Sequence, residues 1–151
     1  LLALEGFGDK VRYSYERFES LNLSILMVDK DTLTNDAERA ELGEFVAGRL
    51  LNPYIPLSGE EFWREVELKL KRRVVMEELG ELADEFGTMA LYIRVPLEYF
   101  LFSKLKKRAT IYPPALYSYA MTYSGERARA NLHKSLEGFG LVVGELEEKG
   151  A

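Results

Sequence analysis

The sequence predicts an α+β protein, a small antiparallel β-containing N-terminal part followed by a mainly helical C-terminal bundle. Three observations carry this. Residues 10–29 read as two strands of a hairpin, residues 58–87 lie between a helix start signal and a helix stop, and helical spacing recurs from residue 96 onward between proline and glycine breaks. With 151 residues, 47% of them apolar, the chain can bury a core as one domain or as two small parts. The expected division is 1–57 and 58–151, with the stretch 52–57 as linker.

In "KVRYSYE", Val11, Tyr13 and Tyr15 alternate with Lys10, Arg12, Ser14 and Glu16, the period of a strand with one wet face near a sheet edge. "NLSILMVD" at 22–29 is apolar on both faces and reads as a buried central strand. Thr32, Thr34 or Asn35 can cap a helix running to about Leu51, with Ala37, Leu42, Phe45, Val46 and Leu50 inward, and Pro53 ends it. Ser58-x-x-Glu61 is a capping box that opens a long helix, carrying Phe62, Val66, Leu70, Val75, Leu79, Leu82 and Phe86 to a stop at Gly87, with a bend at Gly80. Pro96 suits a first helical turn before Leu97, Phe100, Leu101 and Leu105. A short helix follows the double proline 113–114, and a last one starts near Gly125. Gly138, Gly140 and Gly144 each weaken that last helix by about 1 kcal/mol relative to Ala, which places an expected break near Gly138 or a terminal strand instead.

Net charge is −5 with a pI near 5.1, so the molecule as a whole repels nucleic acid and anionic lipid, and a phosphate contact requires a local basic patch. Residues 88–151 supply one, with nine basic against six acidic residues. The absence of cysteine excludes disulfides, thiolate metal sites and a cysteine nucleophile. With no apolar run long enough for a membrane span and no signal segment, the expected location is the cytoplasm. The chain lacks Gln as well as Cys and is rich in Glu, Lys and Arg, a thermophile-like bias.

His133 is the lone histidine, which removes Ser-His-Asp and multi-histidine metal sites together, and it reads as a surface residue. Asp29 and Asp31 lie two residues apart at a strand end, where extended backbone would aim both carboxylates one way, as a magnesium site needs; a helix-capping role is the alternative. Two basic tracts stand out, "KLKRR" at 69–73 and "KLKKR" at 104–108. In the second, Lys104, Lys106, Lys107 and Arg108 precede Tyr112, and cations beside stacking rings are what RNA recognition uses. The alternative is a solvated helix face with boundary tyrosines. Arg49 sits alone in the apolar "GEFVAGRLLNPYIPL", either facing a phosphate or paired with Glu38, Glu41 or Glu44.

The stretch "ESLNLSILMVDKDTL…LGEFVAGRLLNPYIPL" resembles the rear part of the core of the polymerase-beta-like nucleotidyltransferase superfamily, especially its minimal bacterial and archaeal members. The matching positions are Gly43, Phe45, Ala47, Gly48, Arg49, Leu50 and Leu51, and the rest is similar to the helical tails of such proteins. The resemblance implies metal-dependent nucleotidyl transfer with magnesium, a nucleotide as partner, and Arg49 beside its phosphates. The superfamily's Gly-Ser, with Asp-x-Asp on the strand that follows it, is missing here as a combination, and Ser24 is the polar residue where its third carboxylate would fall. Either a catalytic half lies upstream of Leu1, or the chain is a catalytically silent scaffold. The competing expectation is a non-enzymatic helical module that binds RNA or a protein partner. Catalytic residues, nucleotide, acceptor and oligomeric state are not written in this chain.

Overall fold

The computed structural model describes residues 1–150 and divides into two compact units, Leu1–Arg49 and Leu50–Ala151, a break earlier than the one expected after residue 57. The architecture is α+β as predicted, with a three-stranded sheet in the first unit and the helices of a bundle in the second.

In the first unit, β1 (Leu2–Leu4), β2 (Val11–Phe18) and β3 (Leu21–Asp29) form a sheet of order β1-β3-β2. β2 and β3 make the expected antiparallel hairpin, closed by Glu19 and Ser20 with Phe18 opposite Leu21. β1 pairs in parallel with β3, so the sheet is mixed rather than purely antiparallel. Three residues are too few to show a period, which is why β1 escapes the sequence reading. Its pairing makes β3 central, as apolar character on both faces requires, and leaves β2 at an edge. Leu26 and Val28 on one face are buried, whereas Leu21 and Leu23, with Phe18 beside them, are exposed on the other.

The helix expected over 35–51 is instead α1 (Lys30–Arg39), followed by a loop and a 3-10 turn at Ala47–Leu51. Asp29 caps α1 directly at the end of β3: its Oδ1 accepts the amides of Asp31 at 2.9 Å and Thr32 at 3.3 Å. The reason the helix stops is Asp36. Its buried carboxylate accepts four backbone N–H groups, Leu42 at 2.8 Å and Glu44 at 2.9 Å on Oδ1, Val46 at 3.2 Å and Ala47 at 2.8 Å on Oδ2. Amides drawn onto a side chain cannot continue the helical ladder, and Ala40 turns the chain out with φ 55°. Val46 and Ala47 are consequently buried, while Phe45, expected inside, is exposed.

In the second unit, α2 (Glu60–Phe86) runs unbroken through Gly80 and ends at Gly87 with φ 55°, as the stop signal predicts. Its start differs: Gly59 rather than Ser58 occupies the cap, and the Ser58 carbonyl accepts the Trp63 indole N–H at 3.1 Å, so no capping box forms. A 3-10 turn (Gly87–Tyr92) leads to α3 (Leu97–Ile111), α4 (Ala115–Thr122) and α5 (Ala128–Glu148). α2 and α3 both pack on α5, and the rings of Phe100 and Phe139 stack 6.2 Å apart.

The expected break at Gly138 is absent; α5 is continuous there. A Cβ at this position would lie 2.8 Å from Glu67 Oε1 and 2.8 Å from Lys71 Cδ, so glycine serves a close helix approach rather than a break. Among the described residues no helix is long and apolar enough to cross a membrane.

Candidate functional site

Arg49 occupies the 3-10 turn at the end of the first unit, exposed to solvent. Its guanidinium lies 5.4 Å from the centre of the Phe45 ring, and none of the ion pairs that Glu38, Glu41 or Glu44 could offer it is formed; Glu41 instead binds Lys10 at 3.1 Å. Stacking on a ring holds the guanidinium plane while leaving its N–H edge open to an anion. Exposure of Phe45, the departure from the predicted helix, is what creates this pair.

Asp29 and Asp31 meet at the junction of β3 and α1, where Asp29 is the cap residue. Besides the two capping amides, Asp29 accepts the Phe7 N–H on Oδ2 at 3.0 Å, and these backbone bonds, with that from Thr32 foremost, hold its carboxyl below the usual aspartate range. Asp31 lies in the first turn of α1, exposed. Among the described residues no group of three or more His, Asp or Glu is placed to hold a metal ion.

The tract 104–108 is neither an open patch nor a solvated face. Lys104, only 9% exposed, donates to Glu77 at 2.9 Å, and Lys107 donates to Glu78 at 2.8 Å and Glu81 at 2.6 Å. Arg108 Nε donates to the hydroxyl of buried Tyr119 at 3.0 Å. Lys106 and Tyr112 are exposed to solvent, and the Lys107 side chain is partly so. Burial of Lys107 would lower its pKa, but the Glu78 and Glu81 carboxylates outweigh that and raise it. Glu78 is fully buried and also accepts the Ser103 hydroxyl at 2.7 Å, so these lysines neutralise α2.

A concavity of about 690 Å³ belongs wholly to the second unit, a cleft between the 52–56 segment, the first half of α2 and α5. Its floor is ionic. Lys71, 1% exposed, donates to Glu67 Oε1 at 2.6 Å and the Ser135 carbonyl at 2.7 Å, with its ammonium 5.1 Å from the Phe139 ring. Glu67 Oε2 accepts the Tyr54 hydroxyl at 2.9 Å and Arg64 at 3.2 Å. Tyr123 donates to Asn52 at 2.9 Å and shares a 2.8 Å hydrogen bond with Ser135, tying the 52–54 segment to α5. Burial lowers the Lys71 pKa against the pull of Glu67, and it raises that of Tyr54, a direction Glu67 reinforces.

Lys134 and Glu137 stand at the cleft rim, and His133 next to them is exposed, 3.4 Å from Glu137, as a surface histidine would be.

No protein-family model, curated protein or solved structure matches the chain. The ionic floor is hard to read from the sequence because charged residues of an amphipathic helix ordinarily face water. A signal was there: Glu67, Lys71 and Glu78 recur at helical spacing with Val74, on the stripe that Val66 and Leu70 mark as inward.

Proposed function

We propose that the protein is nucleotidyltransferase-like, with the 43–51 segment forming one wall of a nucleotide site and Arg49 contacting phosphate. The observation that supports this is the exposed Arg49 guanidinium, stacked on Phe45 and without a carboxylate partner among the described residues. A fork of donors held in plane suits two phosphate oxygens at once. Transfer chemistry in that superfamily uses a Gly-Ser with Asp-x-Asp on the strand after it, a combination this sequence lacks, so the role read for this chain is binding and scaffolding. Calorimetric titration of Mg-ATP and Mg-CTP into the protein and into Arg49→Ala tests the reading. A signal with at least one nucleotide, weakened about tenfold by the substitution, is expected for loss of a charged hydrogen-bonded contact. No binding by the wild type, or equal affinity in both proteins, sinks it.

A second reading, a non-enzymatic interaction module, is favoured by a groove of about 440 Å³ along α3 and α4, lined mainly by apolar groups from Phe102, Leu105, Ala109, Leu116, Tyr119 and Tyr123. Phe102 and Leu116 are exposed there, which suits a protein partner better than RNA. With Lys104, Lys107 and Arg108 engaged internally, replacing all four basic residues of the tract should change the salt slope of tRNA binding by no more than about 0.7, one single-strand phosphate contact. A larger change in a filter-binding series would restore RNA as the partner.

A further inference from the structure

We infer that the exposed edge of β2 is a self-pairing surface, where a second copy of this chain adds its own β2 antiparallel to form a continuous six-stranded sheet. β2 is eight residues long, pairs without a bulge along β3 and contains no proline, so it lacks the usual devices that protect an edge other than charge. The direction of its free backbone groups follows from the hairpin. Phe18 and Leu21 close a two-residue turn, which makes them a hydrogen-bonded pair, and the alternation along an antiparallel ladder then turns Ser14, Arg12 and Lys10 toward β3. The amide of Asp29 does donate to the carbonyl of Lys10 at 3.3 Å. Val11, Tyr13, Tyr15 and Arg17 therefore direct their N–H and C=O groups away from the sheet.

Of the registers centred on Ser14 and on Tyr15, the charges on this edge favour the first. With a two-fold axis at Ser14, Tyr13 of one copy faces Tyr15 of the other, both with outward backbone groups, so the two residues exchange hydrogen bonds. In the same register Arg12 faces Glu16 of the second copy, and this happens twice across the axis. Cross-strand pairing of opposite charges and of aromatic rings both favour the arrangement. Centring the axis on Tyr15 instead sets Arg12 against Phe18 and leaves Glu16 facing Ser14, so the charge match is lost. Tyr13 and Tyr15 are 60% and 62% exposed, and the current partners of the charged pair are local and exposed, Asp9 for Arg12 and the Ser14 hydroxyl, at 2.7 Å, for Glu16. Exchanging them for a cross-strand partner uncovers no buried group.

Sedimentation of the full chain over a concentration series, with R12E, E16R and an equimolar mixture of the two, tests the inference. The wild type should dimerise reversibly. Each single variant sets like charges opposite each other at both positions and should dimerise about tenfold or more weakly. The mixture should recover a one-to-one dimer, since R12E and E16R are complementary only in this register. Unchanged circular dichroism would show that the exposed substitutions leave the fold intact. A monomeric wild type at every concentration overturns the inference, as do single variants that dimerise like the wild type, or a mixture that stays monomeric.

Discussion

Both units bury charge, and they satisfy it in opposite ways. In the sheet unit Asp36 is closed off by four backbone amides of the loop that follows α1, with no cation involved. In the helical unit Glu67, Lys71 and Glu78 are satisfied largely by side chains, from Tyr54, Arg64, Ser103 and Lys107, with only the Ser135 carbonyl from the backbone. The difference sets what each charge specifies. Four amides converging on one carboxylate dictate a chain path, the turn that exposes Phe45 beneath Arg49. Side chains meeting across α2, α3 and α5 dictate which helix faces meet and how closely, without bending any backbone.

The largest expected effect follows from the first case. Asp36→Ala strands several buried amides at once and should cost on the order of 4 kcal/mol or more, since each unsatisfied buried donor costs about 1–3. Hydrogen exchange is the sharper measurement: Leu42, Glu44, Val46 and Ala47 amides should lose protection before the helical unit does. If those amides stay protected, Asp36 does not set the loop. Next comes Lys71→Met, which leaves buried Glu67 with Arg64 as its remaining cation and strips its Oε1 of the ammonium, and it should cost about 3 kcal/mol in a urea titration. Replacing both, Lys71→Met with Glu67→Leu, should recover much of that loss, because removing a buried pair together leaves no orphan charge. A double variant less stable than the single one would mean that the pair adds more than it costs to bury.

The same contrast explains what could be read from the sequence. The hairpin, α3, α4 and the Gly87 stop announce themselves through alternation, Pro96, the double proline and glycine, all local signals. Asp36 gives no such sign, for its four partners lie six to eleven residues downstream and an aspartate in a helical stretch ordinarily faces water. The misread helix over 35–51 is the direct result, and with it the exposure of Phe45. Arg49 was legible as an anomaly, a lone cation in an apolar run, but not as a guanidinium stacked on Phe45, because that depends on the turn exposing the ring. The 104–108 tract was legible as charge; its destination on α2 was not, since Glu77, Glu78 and Glu81 lie 26 to 29 positions away.

Gly138 gives a smaller test of the side-chain case. Gly138→Ala has higher helix propensity and on an exposed helix would stabilise by about 1 kcal/mol. Here the added methyl meets the Glu67 carboxylate and the Lys71 stem, both held by their ion pair, so overpacking should prevail with a loss of about 1–3 kcal/mol. Gly144, with nothing near a built Cβ, is the control, and Gly144→Ala should stabilise. Equal gains at both positions would show that α5 and α2 can separate without cost.

The smallest effect is a pH dependence at the more exposed end of the side-chain network. Burial alone would raise the Glu77 carboxyl, but hydrogen bonds and charge from Lys104 and Arg73 outweigh it, and its pKa lies below the ordinary value of 4.5. The unfolded chain therefore binds the proton more readily between the folded and ordinary values, and stability rises with pH across that window. Glu77 thus contributes fully above 4.5 and loses its contribution as pH falls through the folded value. The carboxylate is 40% exposed and water screens it, so the contribution should be under about 1 kcal/mol. Lys107 marks the opposite limit: its raised pKa keeps its contribution intact until pH climbs above 10.5, so this cluster should be flat through neutrality. Urea midpoints measured from neutral to acid pH should fall less steeply in Glu77→Gln than in the wild type. Identical acid slopes would mean that Lys104 is held on α2 by packing of its stem rather than by the charge it meets there.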